Sequence, residues 1–497
     1  MLTSILQSGA PKANAIVIPD GPKLSYASLH DEVERTAELL SGGGVERGSV
    51  VSIVLGNNLE FMVTFLAVTR AGGVAAPLNP AYTADEFRFY MEDAEATLAV
   101  LPPGPHEARK AAESLGVAII EATSDANGVT HLSRAGTELS SRKEADSPTA
   151  DDVALFLHTS GTTSRPKGVP LTHGNLLASL KNIRETYALT PDDVAMVVMP
   201  LFHVHGLIGV AFSTLSSGGS IVVPSRFSAS TFWSIQSELG ATWYSAVPTI
   251  HKILFDRADQ DGAPHESFRF IRSCSSPLSA TLLGKLEDRF GAPVLEAYGM
   301  TEASHQMSSN LLPPGKRLAG TVGAGTGVRV AIMDEQGNMV PTGKLGEVVI
   351  QGPNVTHGYK NNPEANAASF TNGWFRTGDQ GFLADDGFLT LTGRLKELIN
   401  RGGEKISPIE VEESLLKHPA VSEAVCFALP DEKYGEAVNV AVVLKGDCSE
   451  DALKKFCSQH LASFKVPDRI FMSDSLPKTA TGKVQRRHVA AKFAPQR

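Results

Sequence analysis

The chain has 497 residues, 42% of them hydrophobic, and a formal net charge of −9. That length supports a large core divided over two or three domains, and the acidic balance argues against a general nucleic-acid binder. The most apolar region, Val194 to Pro224, is broken by Pro200, His203, His205 and paired glycines, which excludes a membrane span. Cys274, Cys426, Cys448 and Cys457 form no CxxC pair, so reduced thiols in an intracellular protein are expected. The opening Met1–Pro19 lacks a basic start followed by a long apolar run, and it does not read as a secretory leader.

Asn58 to Arg70 has helical apolar spacing and stops at Gly72-Gly73. Glu121 to Asp152, rich in Ser, Thr, Asp and Asn, reads as an irregular surface connection. Val153–Leu157 reads as a buried strand that opens onto a glycine-rich loop, Ser160-Gly161-Thr162-Thr163-Ser164-Arg165-Pro166-Lys167-Gly168. Strand and helix patterns alternate to about residue 300, favouring an α/β core. From Gly327 to Thr392 the pattern changes to hairpins, with turns at Gln336-Gly337-Asn338 and Asp386-Gly387, and predicts a small β-barrel-like subdomain. Ser407-Pro408-Ile409-Glu410 is a capping box that starts a helix at Pro408, and His418-Pro419 ends it. Strands at Val421–Leu429 and Asn439–Leu444 and a helix near Glu450–Leu461 complete a compact α/β unit. The expected organisation is an α/β fold with a large N-terminal domain over 1–395 and a small C-terminal domain over 396–497.

Charge is unevenly divided between these units. Residues 396–497 hold 16 Lys and Arg against 14 Asp and Glu, and the last twenty residues carry six basic side chains and no acidic one. That tail includes a second loop, Pro477-Lys478-Thr479-Ala480-Thr481-Gly482-Lys483. Neither loop is a Walker A motif: Lys483 is followed by Val484, and Lys167 by Gly168, where Ser or Thr is required. Glycines nevertheless let backbone N–H groups approach phosphate oxygens, hydroxyls add donors, and lysine adds a point charge. Two such loops so far apart suggest two domains closing around one polyphosphate.

Four further segments follow in order: Glu296-Ala297-Tyr298-Gly299-Met300-Thr301-Glu302, Thr377-Gly378-Asp379, Gly393-Arg394-Leu395-Lys396-Glu397 and Arg401-Gly402-Gly403-Glu404-Lys405. With both loops, they make the chain resemble the adenylate-forming superfamily of acyl-CoA synthetases, aryl-CoA ligases and luciferases. Phe270-Ile271-Arg272-Ser273-Cys274-Ser275-Ser276, the run Met300–Met307 and the run Pro200–Leu207 are most similar to the oxalate–CoA ligases of plants and fungi. The resemblance implies ATP, Mg²⁺ and CoA, and a two-step reaction through an acyl-adenylate. It assigns pyrophosphate to Thr159, Ser160, Gly161, Thr162, Thr163 and Lys167, the α-phosphate to Thr301, and Mg²⁺ to Glu302. Tyr298 is expected to stack on adenine, with Ser275, Ser276, Glu296, Ala297 and Gly299 around it, and Asp379 to hold the ribose with support from Arg394. Lys483 becomes the catalytic lysine of the first half-reaction, Lys396 the hinge of a mobile C-terminal domain, and Gly402-Gly403 the passage for pantetheine.

The resemblance places His203 at the acyl pocket, with His305 and Ser275 as donors. A second carboxylate buried without partners costs several kcal/mol, and these side chains answer that need. His205, two residues past His203, would share its face on a strand. A ligase for another small or aromatic acid, and a catalytically idle relative acting as a binding protein, remain as alternative readings. A small carboxylic acid, ATP and CoA are the expected partners, with no specific nucleic acid, no membrane, and a monomer or weak homo-oligomer. The terminal Pro495-Gln496-Arg497 is not a Ser-Lys-Leu-type address, so a cytoplasmic location is expected.

Overall fold

The computed structural model describes residues 1–145, 147–159, 166–479, 482 and 484–494. Their strands form a nine-stranded sheet, an eight-stranded sheet and two five-stranded sheets. The core of the nine-stranded sheet is parallel: Val194–Met196, Trp243–Ala246, Phe270–Ser273 and Val294–Met300 lie side by side. Their register sets Ser245 beside Arg272 and Ser273 beside Glu296. The strand His305–Ser309 then turns back antiparallel on Val294–Met300, with His305 opposite Met300. Loops leaving the C-terminal ends of parallel strands are where such sheets hold ligands.

The eight-stranded sheet carries Val50–Ile53, Val74–Pro77 and Leu98–Leu101 in parallel. Its edge is the hairpin Val153–Thr159 and Lys167–Thr172, in which Thr159 pairs with Lys167 and so closes the glycine-rich loop. The helix Leu59–Arg70 is buried almost throughout because it is apolar on nearly every face, and the Asn58 side chain caps it by accepting from the Phe61 N–H. The stretch from Glu121 to Asp152 is more regular than its composition predicts. The strand Ala118–Ser124 pairs with Thr130–Arg134, which pairs in turn with Thr137–Glu138. Only alternate positions of Thr130–Arg134 are buried, and the polar residues between them mask the period-two pattern.

One five-stranded sheet occupies the hairpin region: Arg329–Met333, Gly346–Gln351, Trp374–Leu383, Leu389–Arg394 and the short Phe370–Thr371. Its register places Asp379 opposite Arg394. The other is C-terminal and combines the hairpin Ile399–Arg401 and Glu404–Ile406 with the long antiparallel pair Val421–Asp431 and Gly435–Leu444. Helices Pro408–Leu416 and Glu450–His460 cover it, and Val411, Leu415, Val440, Leu453 and Cys457 share its apolar core. The tail reaches the helix Pro248–Arg257 through Gly482, whose carbonyl accepts from Thr249 Oγ1 at 3.1 Å. All four cysteines are free thiols.

Candidate active site

At one end of the site, carboxylates and cations alternate. Asp379 lies on the strand Trp374–Leu383, and its Oδ1 is 3.0 Å from Arg394 Nε on the neighbouring strand. The Tyr298 hydroxyl donates to the other Asp379 oxygen. Burial, then the Asp379 charge, pushes the Tyr298 phenol far up, so it stays a donor. Where the strand Val294–Met300 ends, Thr301 and Glu302 enter a tight turn, Thr301–Ala303. Glu302 is buried, and its Oε1 accepts from the Tyr359 hydroxyl at 2.8 Å. Burial raises the Glu302 carboxyl above its ordinary value, while Arg394 and Lys167 pull it back down. The Lys167 ammonium sits 4.4 Å above the Tyr359 ring. Burial lowers its pKa, Glu302 opposes that shift, and Lys396 adds to it. Thr159, Lys167, Tyr298, Thr301, Glu302, Asp379 and Arg394 are therefore gathered from three sheets. Ser160, Gly161, Thr162, Thr163 and Lys483 lie outside the described residues.

Glu296 plays a supporting part. Its Oε1 accepts from the Leu278 N–H at 2.9 Å, tying the turn that carries Ser275 and Ser276 to the sheet. Burial pushes this carboxyl up to about 8, and Oε2 has no partner among the described residues. Ala297 is buried beside it. Gly299 is needed for close approach, since a Cβ there would stand 2.2 Å from the His305 carbonyl oxygen. Gly402 and Gly403 form the two-residue turn between Ile399–Arg401 and Glu404–Ile406, with φ of +63° and +99°. Glycine is required there for the turn itself, independently of any passage for a ligand.

The other end is organised around Arg272, to which sequence reasoning assigned no role. It is fully buried in the strand Phe270–Ser273, and no carboxylate among the described residues pairs with it. Its Nε donates to the Tyr187 hydroxyl at 2.8 Å and its Nη2 to Gln306 Oε1 at 3.0 Å. Its Nη1 reaches both Ser245 Oγ and His305 Nε2, each at 3.1 Å. His205 bridges the remaining gap, with Nε2 2.7 Å from Ser245 Oγ and Nδ1 3.0 Å from Ser275 Oγ. The His205 and His305 rings lie 5.2 Å apart. His203 adjoins this cluster as the residue before the helical turn Val204–Gly206, its Nδ1 accepting from the His205 N–H at 3.1 Å. His205 is thus helical rather than on a strand, it is buried, and a π-helical segment, Leu207–Phe212, continues the turn. The candidate acyl residues His203, Ser275 and His305 meet through His205.

This end is also strained. Ser275, Ser304 and His305 have φ of +73°, +50° and +106°, values that non-glycine residues rarely adopt. The His305 ring fills a slot that a Cβ on Gly209 would close, at 2.1 Å from Nε2. Burial, then Arg272, holds both His205 and His305 well below the ordinary imidazole range. The sequence signal for Arg272 is a lone charge inside an otherwise apolar strand. Tyr187 and Tyr359 leave no comparable trace.

Comparison with known proteins decides the family. A model described as AMP-binding enzyme matches residues 7–360, and one described as AMP-binding enzyme C-terminal domain matches residues 410–483. The chain belongs to the AMP-binding enzyme family. It is 50% identical to an oxalate–CoA ligase of Arabidopsis thaliana, covering 99% of this chain and 98% of that one. It is 46% identical to an oxalate–CoA ligase of Saccharomyces cerevisiae, covering 97% and 94%. Among solved structures, ATP-bound MatB from Rhodopseudomonas palustris superposes with a TM-score of 0.90 at 31% identity, with 99% of each chain covered. The mixed α/β architecture, with large N-terminal sheets and a smaller C-terminal unit, is the fold of this family.

The residues present suit a family member's needs for Mg²⁺. No group of three or more His, Cys, Asp or Glu among the described residues forms a metal cage. A single buried carboxylate, Glu302, is what Mg²⁺ uses when phosphate oxygens and water complete its shell. Among the described residues, no helix is long and apolar enough to cross a membrane.

Proposed function

We propose that this protein is an ATP- and CoA-dependent acid–thiol ligase acting on oxalate. In the first half-reaction an oxalate oxygen attacks the α-phosphorus of ATP, and pyrophosphate leaves. In the second, the CoA thiol attacks the activated carbonyl carbon and AMP leaves, giving oxalyl-CoA. The observation that carries oxalate is the buried Arg272 with its ring of histidines and serines and no carboxylate partner among the described residues. A buried cation of this kind wants an anion. A fatty or aromatic acid would leave these polar groups unmatched, whereas the second carboxylate of oxalate would match them. The full-length likeness to plant and fungal oxalate–CoA ligases supports the same reading.

The roles follow the chemistry. Thr159 to Lys167 cradle the pyrophosphate, Thr301 holds the α-phosphate, and Tyr298 lies against adenine, with Ser275, Ser276, Ala297 and Gly299 at its edges. Asp379 accepts from the ribose hydroxyls and Arg394, 3.0 Å away, orients it. Glu302, steadied by Tyr359, would hold Mg²⁺, which supplies charge neutralisation at the phosphates. Lys483 bridges the acyl carboxylate and the α-phosphate as negative charge builds. The domain 396–497 then turns about Lys396, withdrawing Lys483 and bringing Gly402-Gly403 to the pantetheine path. His203, Ser275 and His305 hold the acid. We place the protein in the cytoplasm, as a monomer or weak homo-oligomer without a specific nucleic-acid partner.

The test is a panel of acids assayed for pyrophosphate release with ATP and Mg²⁺, and for thioester when CoA is added. Oxalate is expected to give the highest kcat/KM. A better turnover of malonate, succinylbenzoate or a cinnamate would replace the substrate while keeping the enzyme class.

A further inference from the structure

We propose that Arg272 is a positioning residue that fixes the direction of every proton in the acyl pocket, so that Ser275 and His305 both face the substrate as hydrogen-bond donors. The proposal deepens the oxalate reading and rests on it only for the identity of the anion.

A guanidinium can donate and never accept. Its Nη1 hydrogen aimed at His305 Nε2, 3.1 Å away, therefore makes that nitrogen an acceptor. The proton of the neutral ring must then sit on Nδ1. The ring packs against two glycines, since a Cβ on Gly209 would lie 2.1 Å from Nε2 and one on Gly299 would lie 2.8 Å from Nδ1.

The second arm obeys the same logic over more bonds. Ser245 Oγ accepts from Arg272 at 3.1 Å and has His205 Nε2 2.7 Å away. If His205 donated to Ser245, the serine's own buried hydrogen would be left without an acceptor among the described residues, which native interiors avoid. Ser245 therefore donates to Nε2, and His205 carries its proton on Nδ1. That proton goes to Ser275 Oγ, 3.0 Å away. The Ser275 hydroxyl then accepts from the protein and turns its own hydrogen outward. Both arms end in donors, a match for a carboxylate, which only accepts.

The charged and titratable groups facing the two histidines are Arg272, His203 and His251, together with each other. None is acidic, so neither imidazole is drawn toward protonation, and the donor pattern persists through neutral pH.

The first test needs no substrate and reads the wild-type enzyme, with substitutions used only to assign signals. In the free wild-type enzyme labelled with [¹⁵N]histidine, signals assigned by their loss in His205→Gln and His305→Gln should show protonated Nδ1 and bare Nε2 at both sites. A bare Nδ1 at either histidine overturns the proposal. The second test is kinetic. Arg272→Met should raise the KM for oxalate about 10- to 100-fold, the loss expected for charge-assisted bonds, with the KM for ATP little changed. In that variant His305 Nε2 is released to take a proton, so oxalate use should improve as pH falls, whereas the wild type stays flat. An unchanged oxalate KM in a folded Arg272→Met enzyme contradicts the proposal. If that variant does not fold, the wild-type tautomers decide alone. They also separate this proposal from the substrate reading, since an acid panel that rejects oxalate leaves them untouched.

Discussion

The proposed nucleotide end and the proposed acyl end of this site use opposite electrostatic plans. At the nucleotide end, Asp379 is paired with Arg394, and Glu302 shares its surroundings with Lys167 and Arg394. Positive and negative groups nearly balance there, which suits a polyanion that arrives with its own metal ion. At the acyl end a single arginine is surrounded by neutral imidazoles and hydroxyls. The difference teaches why the two roles are proposed where they are: a balanced end suits a metal-bridged nucleotide, and an end with one cation unpaired among the described residues suits a bare small anion. The reaction joins them by bringing the two anions together, and Lys483 is the group proposed to make that tolerable.

The largest effect should come from the lysine proposed to join the two half-sites. Lys483→Ala removes one preorganised donor and should slow adenylation about 10²- to 10³-fold, measured by pyrophosphate exchange. Conversion of presupplied oxalyl-adenylate to thioester should survive. Equal loss of both half-reactions would break the idea that one lysine serves only the first.

Next comes the acyl end. His305→Val deletes one donor facing the acid and should lower kcat/KM for oxalate about 10²-fold, while adenylation of a monocarboxylate falls much less. At the nucleotide end, Tyr359→Phe frees Glu302 Oε1 and should raise the Mg²⁺ concentration for half-maximal rate about 10-fold, as loss of a ligand's partner does elsewhere. Oxalate KM at saturating Mg²⁺ should be unaffected. A change in the opposite pair of readouts would show that the two ends are not separable.

The smallest effect concerns Glu296. The folded chain keeps a proton on this carboxyl up to about pH 8, whereas the unfolded chain loses it near the ordinary carboxyl value. Its contribution to stability is therefore fully present in acid and is lost as pH rises through about 8. Glu296→Gln cannot titrate, so its melting temperature should gain on the wild type by about 2 °C or more between mildly acidic and mildly alkaline pH. A gap that stays constant across that range would place the Glu296 pKa near normal.

The clustering of the residues assigned to the nucleotide end was legible in the sequence because they sit in short contiguous runs at strand ends. Tyr298 lies near the end of one strand with Thr301 and Glu302 just past it, and Asp379 and Arg394 face each other on two. The acyl end was only half legible. Ser275 and His305 stood out as polar residues in motifs, but Arg272 was quoted within its strand without a function. Its partner Tyr187 lies 85 residues away, and Gln306 34 residues away. His205 sits in a helical turn continued by a π-helical segment that apolar residues alone do not announce. The hairpin after Ala118 escaped for the opposite reason, since its outward residues are polar enough to look like a loop.

The central claim is that the acyl end is built for a second negative charge. The most direct measurement compares kcat/KM for oxalate with that for glyoxylate, which is of similar size but has one carboxylate replaced by an aldehyde. The account predicts that the wild-type enzyme prefers oxalate by about 10²-fold or more, and that His305→Val loses most of this preference. Equal use of glyoxylate and oxalate by the wild-type enzyme would contradict it.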